Sequence, residues 1–563
     1  MKATVAYFSM EIGISSSIPT YAGGLGVLAG DTIRSAADLN INMVAVTLLD
    51  HYGYFLQHLD ETGWQTEEPN FWSVEEQLEE LSTTITVKIE DRDVQVRAWR
   101  LKIKGINGYE VPVFFLDTDL ASNAQIDRNL THYLYGGDLN YRLSQEVVLG
   151  IGGVKMLRAI GYSQIDRFHM NEGHASLLVL ELLAEDAKTL NGNTINQKVL
   201  ASVHEKCVFT THTPVPAGHD QFPFDIADRV LQQYPIYAQL DKSTVGDTSL
   251  NLTSLALNNS YYINGVAKKH QEISQKMYTH YVIHAITNGV HAAKWASDAH
   301  HQLFDQHIPG WREDNTSLRC AMSVPLQDIW NAHIEAKKEL LEYINEMSTS
   351  KFDVETLTIG FARRVTLYKR HDLLFFDVAK LNQIANSNGP IQIVFAGKAH
   401  PHDQPGKEII QKIYRLTSNL NAKIKFIFLN DYNIGLGKLL TAGVDLWLNT
   451  PLAPQEASGT SGMKAAVNGV PSFSILDGWW VEGCIENITG WSIGDGEMHA
   501  SITETNQSDA DNLYRKLQNV IMPLYYTNRD AYIEIMRHTI SVNASYFNTE
   551  RMLNQYVTKA YFR

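Results

Sequence analysis

Glu456-Ala-Ser-Gly-Thr-Ser-Gly-Met-Lys464 joins an apolar run, residues 444–448, to a segment with helical spacing that begins near Met463. Most of its residues are small, so many of its backbone N–H groups are left uncovered. The first N–H groups of a helix have no partner within the helix, and the helix dipole favours negative charge at that end. A loop of this composition at the start of a helix therefore predicts an anion site, for example for a phosphate group.

Lys464 falls in the first turn of the predicted helix, where the dipole disfavours a cation. We therefore expect a lowered pKa for this lysine, and an uncharged amine can attack an aldehyde. A phosphate-bearing aldehyde held by a lysine describes pyridoxal phosphate, which is the cofactor that the pattern suggests. On spacing alone, a solvated helix lysine behind a serine-glycine loop is the alternative.

Length and charge limit the class of protein. The chain has 563 residues, too many for one hydrophobic core, and this predicts at least two domains. A net charge of −15 argues against nucleic acid as a partner, because that binding needs a basic surface. Three scattered cysteines predict neither a disulfide framework nor a zinc site. Because we find no signal peptide and no apolar run of membrane-spanning length, we expect a cytoplasmic protein with no membrane partner.

The second half of the chain repeats a strand–loop–helix pattern four times. Its apolar strand segments are residues 357–361, 391–395, 424–429 and 444–448. Such units in series predict an α/β fold with a parallel, right-handed, doubly wound sheet. The polar loops all follow strands, so we expect them along one rim of that sheet.

The loop after the first of these strands is basic. Arg363, Arg364, Lys369 and Arg370 place four cations within eight residues. Cations at the carboxyl end of a strand predict an anion site. A solvated basic loop is the alternative.

Two features of the first half also follow strand-like runs. Gly23 and Gly24 stand between a strand, residues 4–8, and a helical segment, where glycine lets the backbone approach a ligand. A tight packing turn explains these glycines about as well. His212 follows residues 207–211 in a proline-restrained loop, where open α/β sheets bind ligands, although a core histidine is the alternative.

A metal site is not expected. His169, Glu172 and His174 are close in sequence, but their spacing does not place three ligands on one helix face.

The motifs resemble those of the α-glucan phosphorylases. The segment ending in Lys464 is followed by Asn468-Gly469 and Leu476-Asp477-Gly478, as in the cofactor region of that family, and other segments match in the same order. The resemblance implies a short-type phosphorylase of glycogen, starch or maltodextrin. It also implies two doubly wound, Rossmann-like domains that face a central cleft, the GT-B glycosyltransferase fold.

The resemblance assigns roles to individual positions. In the family the lysine matching Lys464 forms the Schiff base with pyridoxal 5'-phosphate. The other cofactor contacts match Thr460, Ser461, Arg363, Lys369 and Tyr432. The substrate contacts match Gly23, Gly24, Asn288, Glu456, Ser458 and Gly459. The catalytic residues match His212 at the transferred glucosyl unit, Arg364 and Lys369 at the substrate phosphate, and Lys464.

The chain departs from the family pattern at several places. Val27 stands where long phosphorylases often have arginine, and His291-Ala-Ala-Lys-Trp295 replaces a Pro-Arg-Arg-Trp run. Asn171-Glu-Gly-His174 stands where the family has Asn-Asp-Thr-His. Tyr21-Ala22 lacks the lysine that glycogen synthases usually carry before the paired glycines, which favours the phosphorylases.

The expected division of the chain follows from these motifs. We expect a glucan- and phosphate-binding domain over residues 1–347 and a cofactor domain over residues 348–530, joined at the linker Ser348-Thr-Ser-Lys-Phe-Asp353. By analogy with two-domain glycosyltransferases, helices in residues 531–563 are expected to cross back to the first domain. An apolar stripe there, behind Asn548 as helix cap, supports this: Met552, Leu553, Tyr556, Val557 and Tyr561.

The expected reaction is phosphorolysis of the terminal α-1,4 bond of an α-glucan, giving α-D-glucose 1-phosphate with retention, with the cofactor phosphate as acid and base. The partners are then α-glucan and inorganic phosphate, and homodimers are usual in the family. One alternative is a retaining glucosyltransferase that uses a nucleotide sugar, which would leave Lys464 unexplained. The other is an inactive, glucan-binding relative.

Overall fold

The chain forms two compact units in the computed structural model, which describes residues 2–214, 219–348, 351–494, 496 and 500–562. The first unit comprises Met1–Phe55, Pro69–Thr287 and Met552–Arg563. The second comprises Leu56–Glu68 and Asn288–Arg551. Thr349 and Ser350 of the predicted linker lie outside the described residues.

The strands and α-helices of the described residues are numbered here in chain order. The strands are β1 Lys2–Ser9, β2 Met43–Leu48, β3 Leu56–Leu59, β4 Gln65–Glu68, β5 Glu79–Ile89, β6 Arg92–Lys104, β7 Glu110–Asp117, β8 Gln164–Asn171, β9 Cys207–Thr210, β10 Gln221–Pro223, β11 Ser249–Asn251, β12 Tyr262–Gly265, β13 His284–Ala285, β14 Leu357–Ala362, β15 Ile391–Ala396, β16 Ile424–Leu429, β17 Leu446–Asn449, β18 Ser472–Ile475 and β19 Gly490–Ile493. The helices are α1 Gly24–Asp38, α2 Val74–Gln77, α3 Gln125–Arg128, α4 Leu139–Val147, α5 Gly153–Ala159, α6 Leu178–Leu190, α7 Gln197–His204, α8 Phe224–Leu231, α9 Lys242–Val245, α10 Leu252–Asn258, α11 Lys268–Met277, α12 Ala292–Trp295, α13 Asp298–His307, α14 Leu326–Met347, α15 Val378–Asn388, α16 Gln404–Thr417, α17 Ile434–Gly443, α18 Ser461–Val467, α19 Trp480–Gly483, α20 Ile502–Lys516, α21 Met522–Thr527, α22 Arg529–His538 and α23 Thr549–Tyr556.

The first unit is built on a nine-stranded mixed sheet in the order β13-β12-β9-β8-β1-β2-β7-β6-β5. From β13 to β7 neighbouring strands are parallel, whereas β6 runs antiparallel to β5 and β7. Ala6 and Phe8 join the apolar core on one face, while Val5 and Tyr7 join the core on the other. This alternation is the two-residue period of a strand that is buried on both faces.

The C-terminal stripe belongs to the core of the first unit. Met552, Leu553 and Tyr556 are buried in it, and the hydroxyl of Tyr561 lies 2.7 Å from Nδ1 of His169. Asn548 caps α23, since its Oδ1 accepts a hydrogen bond from the Arg551 N–H. Residues 531–551, which the sequence interpretation placed in the same tail, group with the second unit.

The second unit contains a six-stranded parallel sheet in the order β16-β15-β14-β17-β18-β19. The predicted parallel sheet of four strands is confirmed as β14 to β17, and β18 and β19 extend it. The strand order runs outward from β14 in one direction and then outward from β17 in the other. Loops after β14 and β17 therefore diverge at the switch point of the sheet, where ligands of open α/β sheets bind.

Two segments group with the second unit although the sequence interpretation gave them to the first domain. Residues 288–347 are one, and a buried ion pair attaches their helix α14: Lys337 Nζ lies 2.6 Å from Oδ2 of Asp445, just before β17. His333 Nε2 is 2.8 Å from the other oxygen of Asp445. The β3–β4 hairpin is the other, because the Gln65 amide exchanges hydrogen bonds of 2.8 and 3.0 Å with the backbone of Ala399.

Within the described residues, no helix is both long enough and apolar enough to cross a membrane.

Candidate active site

A cluster of charged side chains lies at the switch point of the second-unit sheet. Arg363 directly follows β14, and Asn449 ends β17. One guanidinium nitrogen of Arg363 donates to the Asn449 side-chain oxygen, and the other lies 2.5 Å from Oε2 of Glu456. Lys369 Nζ donates to both oxygens of Glu456, each at 2.9 Å. The structure therefore brings three predicted site residues, Arg363, Lys369 and Glu456, into one buried contact.

The electrostatics of this cluster follow from its burial. Burial by itself raises the pKa of the Glu456 carboxyl, but the charges of Arg363 and Lys369 outweigh it and hold the pKa at about 2. Glu456 is thus ionised at neutral pH, and the two cations together carry one charge more than it neutralises. An excess positive charge in a buried pocket favours an anionic ligand.

The turn after β18, residues 477–479, holds the loop that carries Glu456 through hydrogen bonds. Asp477 follows β18; its Oδ2 accepts the Glu456 N–H at 2.8 Å, and its Oδ1 accepts the Gly478 N–H at 2.9 Å. The Trp479 N–H donates to the Ser458 carbonyl at 2.9 Å. Gly478 has φ +55°, and a Cβ there would lie 2.5 Å from that carbonyl, so only glycine fits. Burial raises the pKa of Asp477 to about 6, although two backbone N–H groups oppose the shift.

Lys464 lies in α18, which begins at Ser461 rather than near Met463 as the spacing predicted. Its side chain is buried, and Nζ lies 3.9 Å from the ring centroid of Trp295. Ser461 Oγ accepts a hydrogen bond from the Trp447 indole N–H at 3.1 Å, and Thr460 is the N-terminal flanking residue of the helix. The solvated helix lysine is therefore excluded for Lys464.

Four other predicted site residues of the second unit differ in their exposure and in their contacts. Tyr432 follows β16 and is close enough to Arg363 for charge interaction; burial raises the pKa of its hydroxyl to about 12. Arg364 is exposed. Asn288 Oδ1 and Ser458 Oγ are buried and have no hydrogen-bond partner among the described residues. Buried polar atoms are normally satisfied, so these two indicate room for a polar ligand.

In the first unit, Gly23 and Gly24 lie at the start of α1. A Cβ built at either glycine meets no atom within 4 Å, so tight packing does not account for this pair. The Glu11 carboxylate receives hydrogen bonds from the Ala22 N–H at 2.5 Å, the Gly23 N–H at 3.2 Å and the Tyr135 hydroxyl at 2.9 Å.

His212 lies just beyond β9 in the same unit. Its Nε2 is 2.6 Å from Oδ1 of Asn171, and its backbone N–H donates to Oε2 of Glu172 at 2.7 Å. Burial and neighbouring histidines lower the pKa of His212 to about 3, so the ring is neutral at physiological pH. The Asn171 amide also donates to Ser9 Oγ at 3.1 Å, and this hydroxyl donates to the Glu11 carbonyl. A hydrogen-bonded path thus links the loops of His212 and Gly23.

Sequence reasoning missed several residues of these sites. Asn449 ends β17 and Glu11 follows β1, and a position at the end of a strand was the available signal. Asp477 was noted only as part of the motif that carries the family resemblance. Trp295 was noted only as part of a departure from the family pattern. Among the described residues, no group of three or more His, Cys, Asp or Glu side chains has an arrangement suited to a metal ion.

Comparison with known proteins identifies the family of this chain. The family model described as carbohydrate phosphorylase matches residues 237–522. The chain is 38% identical to a maltodextrin phosphorylase of Thermococcus litoralis, over 99% of this chain and 70% of that protein. It is 33% identical to a glycogen phosphorylase of Aquifex aeolicus, over 100% of this chain and 86% of that protein. It is also 33% identical to a glycogen phosphorylase of Mycobacterium tuberculosis, over 99% and 70% of the two chains. The resemblance inferred from the motifs is confirmed, and the chain belongs to the carbohydrate phosphorylase family.

Proposed function

We propose that the protein is an α-1,4-glucan phosphorylase, which uses inorganic phosphate to release the non-reducing terminal glucosyl unit as α-D-glucose 1-phosphate with retained configuration. The observation that carries the proposal is the buried cluster of Arg363, Lys369 and Glu456 at the switch point of the sheet. It offers cations for a phosphate beside a carboxylate that can accept hydrogen bonds from sugar hydroxyls. Family membership and two separate α/β sheets also support the GT-B architecture for this chain.

The residues present fit pyridoxal phosphate as cofactor. The Lys464 amine is buried against an aromatic ring, and the buried Nε of Arg363 has no hydrogen-bond partner among the described residues. Lys464 would hold the ring, while Thr460, Ser461, Arg363, Lys369 and Tyr432 would surround the group. When bound, the cofactor supplies a phosphate group with a second pKa near 6, which can exchange a proton with the substrate phosphate.

The chain's own side chains then have distinct tasks in the second unit. Arg363, Arg364 and Lys369 offset the repulsion between phosphate groups and orient the attacking one. Glu456, Ser458 and Gly459 bind sugar hydroxyls, and Asn288 binds another through its unsatisfied amide oxygen. Because the pocket side chains other than Arg364 are mostly buried, water is excluded and these electrostatic contacts are strengthened.

First-unit residues complete the proposal. The backbone at Gly23 and Gly24 approaches the substrate phosphate, since neither glycine carries a side chain to obstruct it. His212 contacts the transferred glucosyl unit as a neutral imidazole, because its pKa is lowered to about 3. Its backbone carbonyl would stabilise the carbon that gains positive charge. A neutral ring adds no repulsion to an oxocarbenium-like transition state.

The test is phosphorolysis of maltooligosaccharides and glycogen with inorganic phosphate, with and without added pyridoxal phosphate. We expect α-D-glucose 1-phosphate, identified by its anomeric proton signal, and more of it when the cofactor is added. The matched control replaces phosphate with a nucleotide sugar. Glucosyl transfer from the nucleotide sugar, with no sugar phosphate formed from glucan, would refute the proposal and favour the synthase-like activity. Glucan binding without either reaction would favour an inactive relative.

A further inference from the structure

Glu172 has an unusual backbone. Its φ of 77° and ψ of 169° lie in a region that residues with a Cβ rarely adopt, and the residue is only 5% exposed. Strain of this kind persists only where the surroundings hold it, and it concentrates at functional sites. Glu172 directly follows Asn171, the last residue of β8.

The Glu172 carboxylate connects the end of β8 to the loop after β9. Its Oε2 accepts the His212 N–H at 2.7 Å and the Thr213 hydroxyl at 3.1 Å. Its Oε1 accepts the N–H of Gly173 at 3.1 Å, which caps the short 3-10 turn Gly173–Ala175. Capping that turn needs one oxygen, so it does not explain the other two contacts.

His212 is consequently fixed at two points. Asn171 holds the imidazole through Nε2, and Glu172 holds the peptide N–H on the same residue. The strained backbone of Glu172 lets two consecutive side chains, Asn171 and Glu172, contact the same neighbour, His212. Hydrogen bonds to both the imidazole and the backbone N–H fix the orientation of the ring and of the peptide group at the same time.

We propose that Glu172 is a positioning residue for the reaction, because its ionised carboxylate sets the orientation of the His212 backbone toward the glucosyl unit. This inference rests on the proposed function. Glu172 acts through His212 and Thr213 and does not itself exchange protons with substrate. If Glu172 only capped the 3-10 turn, replacing it would lower the stability of the protein. If it positions His212, replacing it also lowers kcat.

The groups around Glu172 shift the pKa of its carboxyl, so that its charge changes with pH near neutrality. Burial raises the pKa of its carboxyl to about 7, against the hydrogen bonds from His212, Gly173 and Thr213. Asp220 raises it further, and Asp220 is itself paired with Arg142 at 3.0 Å and with His174 at 3.3 Å. Tyr278 is also close enough for charge interaction with this carboxylate, and burial raises the pKa of its own hydroxyl. The positioning form of Glu172 is therefore lost as the pH falls through about 7.

The experiment compares Glu172→Gln, Glu172→Asp and an exposed control, Glu205→Gln, in the full chain with pyridoxal phosphate added. We expect Glu172→Gln to lower kcat for phosphorolysis by at least roughly tenfold, with KM for glucan and phosphate changed less than about threefold. Glu172→Asp keeps the charge and should recover part of kcat. The wild-type and control enzymes should lose kcat as the pH falls through about 7, and Glu172→Gln should lack that loss.

Thermal unfolding and circular dichroism establish that each variant is folded. A wild-type protein that forms no glucose 1-phosphate refutes the proposed function. A wild-type protein that forms it, with Glu172→Gln equal to wild type in kcat and in pH profile, refutes only the positioning role. A fall in kcat for Glu172→Asp as large as for Glu172→Gln, with lower unfolding temperatures in both, also refutes it and leaves Glu172 as a cap.

Discussion

Replacing Glu456 by glutamine tests the electrostatics of the candidate site directly. The change keeps the size of the side chain and removes the carboxylate that pairs with both Arg363 and Lys369. Two cations are then left close together in a buried pocket. Removing one partner of a buried, hydrogen-bonded charge pair is costly because the remaining charge loses its compensation.

The magnitude follows from the pKa of Glu456. Its carboxyl titrates at about 2 instead of 4.5, and at about 1.4 kcal/mol per pKa unit this corresponds to roughly 3 kcal/mol of stability at neutral pH. Breaking a buried ion pair usually costs about 3–5 kcal/mol, which agrees. For a unit of this size, each kcal/mol lowers the unfolding temperature by about 2 °C, so we expect a fall of roughly 6 °C.

The assay is thermal unfolding followed by circular dichroism at several pH values, with the exposed Glu355→Gln as matched control. Because the folded-state pKa of Glu456 is lowered, its contribution is complete above about pH 4.5 and is lost as the pH falls toward about 2. The difference between wild type and Glu456→Gln should therefore shrink within that window. Inorganic phosphate should raise the unfolding temperature of the variant more than that of wild type, since the cations then gain an anion. Equal unfolding temperatures at pH 7 would falsify the reasoning.

Three further predictions concern other residues. Lys464→Ala should abolish both the near-ultraviolet absorbance of bound pyridoxal phosphate and its fixation by borohydride, together with glucose 1-phosphate formation; full activity in this variant contradicts the assignment. Arg364→Ala should raise KM for phosphate by about tenfold and KM for glucan by less than about twofold, because one charge-assisted contact is lost; equal rises count against a phosphate role. Lys337→Met should lower the free energy of unfolding by about 3–5 kcal/mol, because it leaves Asp445 buried without its cation. An unchanged denaturation midpoint would show that this pair contributes nothing.

Some of the fold was accessible from the pattern of residues alone. Continuous apolar runs followed by polar loops identified β14 to β17, because both faces of a parallel strand are buried. The strands β18 and β19 were missed because serine or glycine interrupts their short apolar runs, so they show no clear pattern. The β3–β4 hairpin gave no local sign that it packs with the second unit, because its partners lie more than 300 residues away.

For the candidate site too, the sequence revealed only part of what the structure shows. Motifs and their order, read without coordinates, determined the family and the position of the basic loop, and they predicted Lys464 as the cofactor lysine. Only the tertiary structure decided that Glu456 pairs with both Arg363 and Lys369, that Asp477 holds the Glu456 loop, and that Glu172 supports His212. The physical reason is that strand order brings together loops that are far apart in the chain, and burial then determines how strongly their charges interact. Neither strand order nor burial is a property of any short stretch of residues.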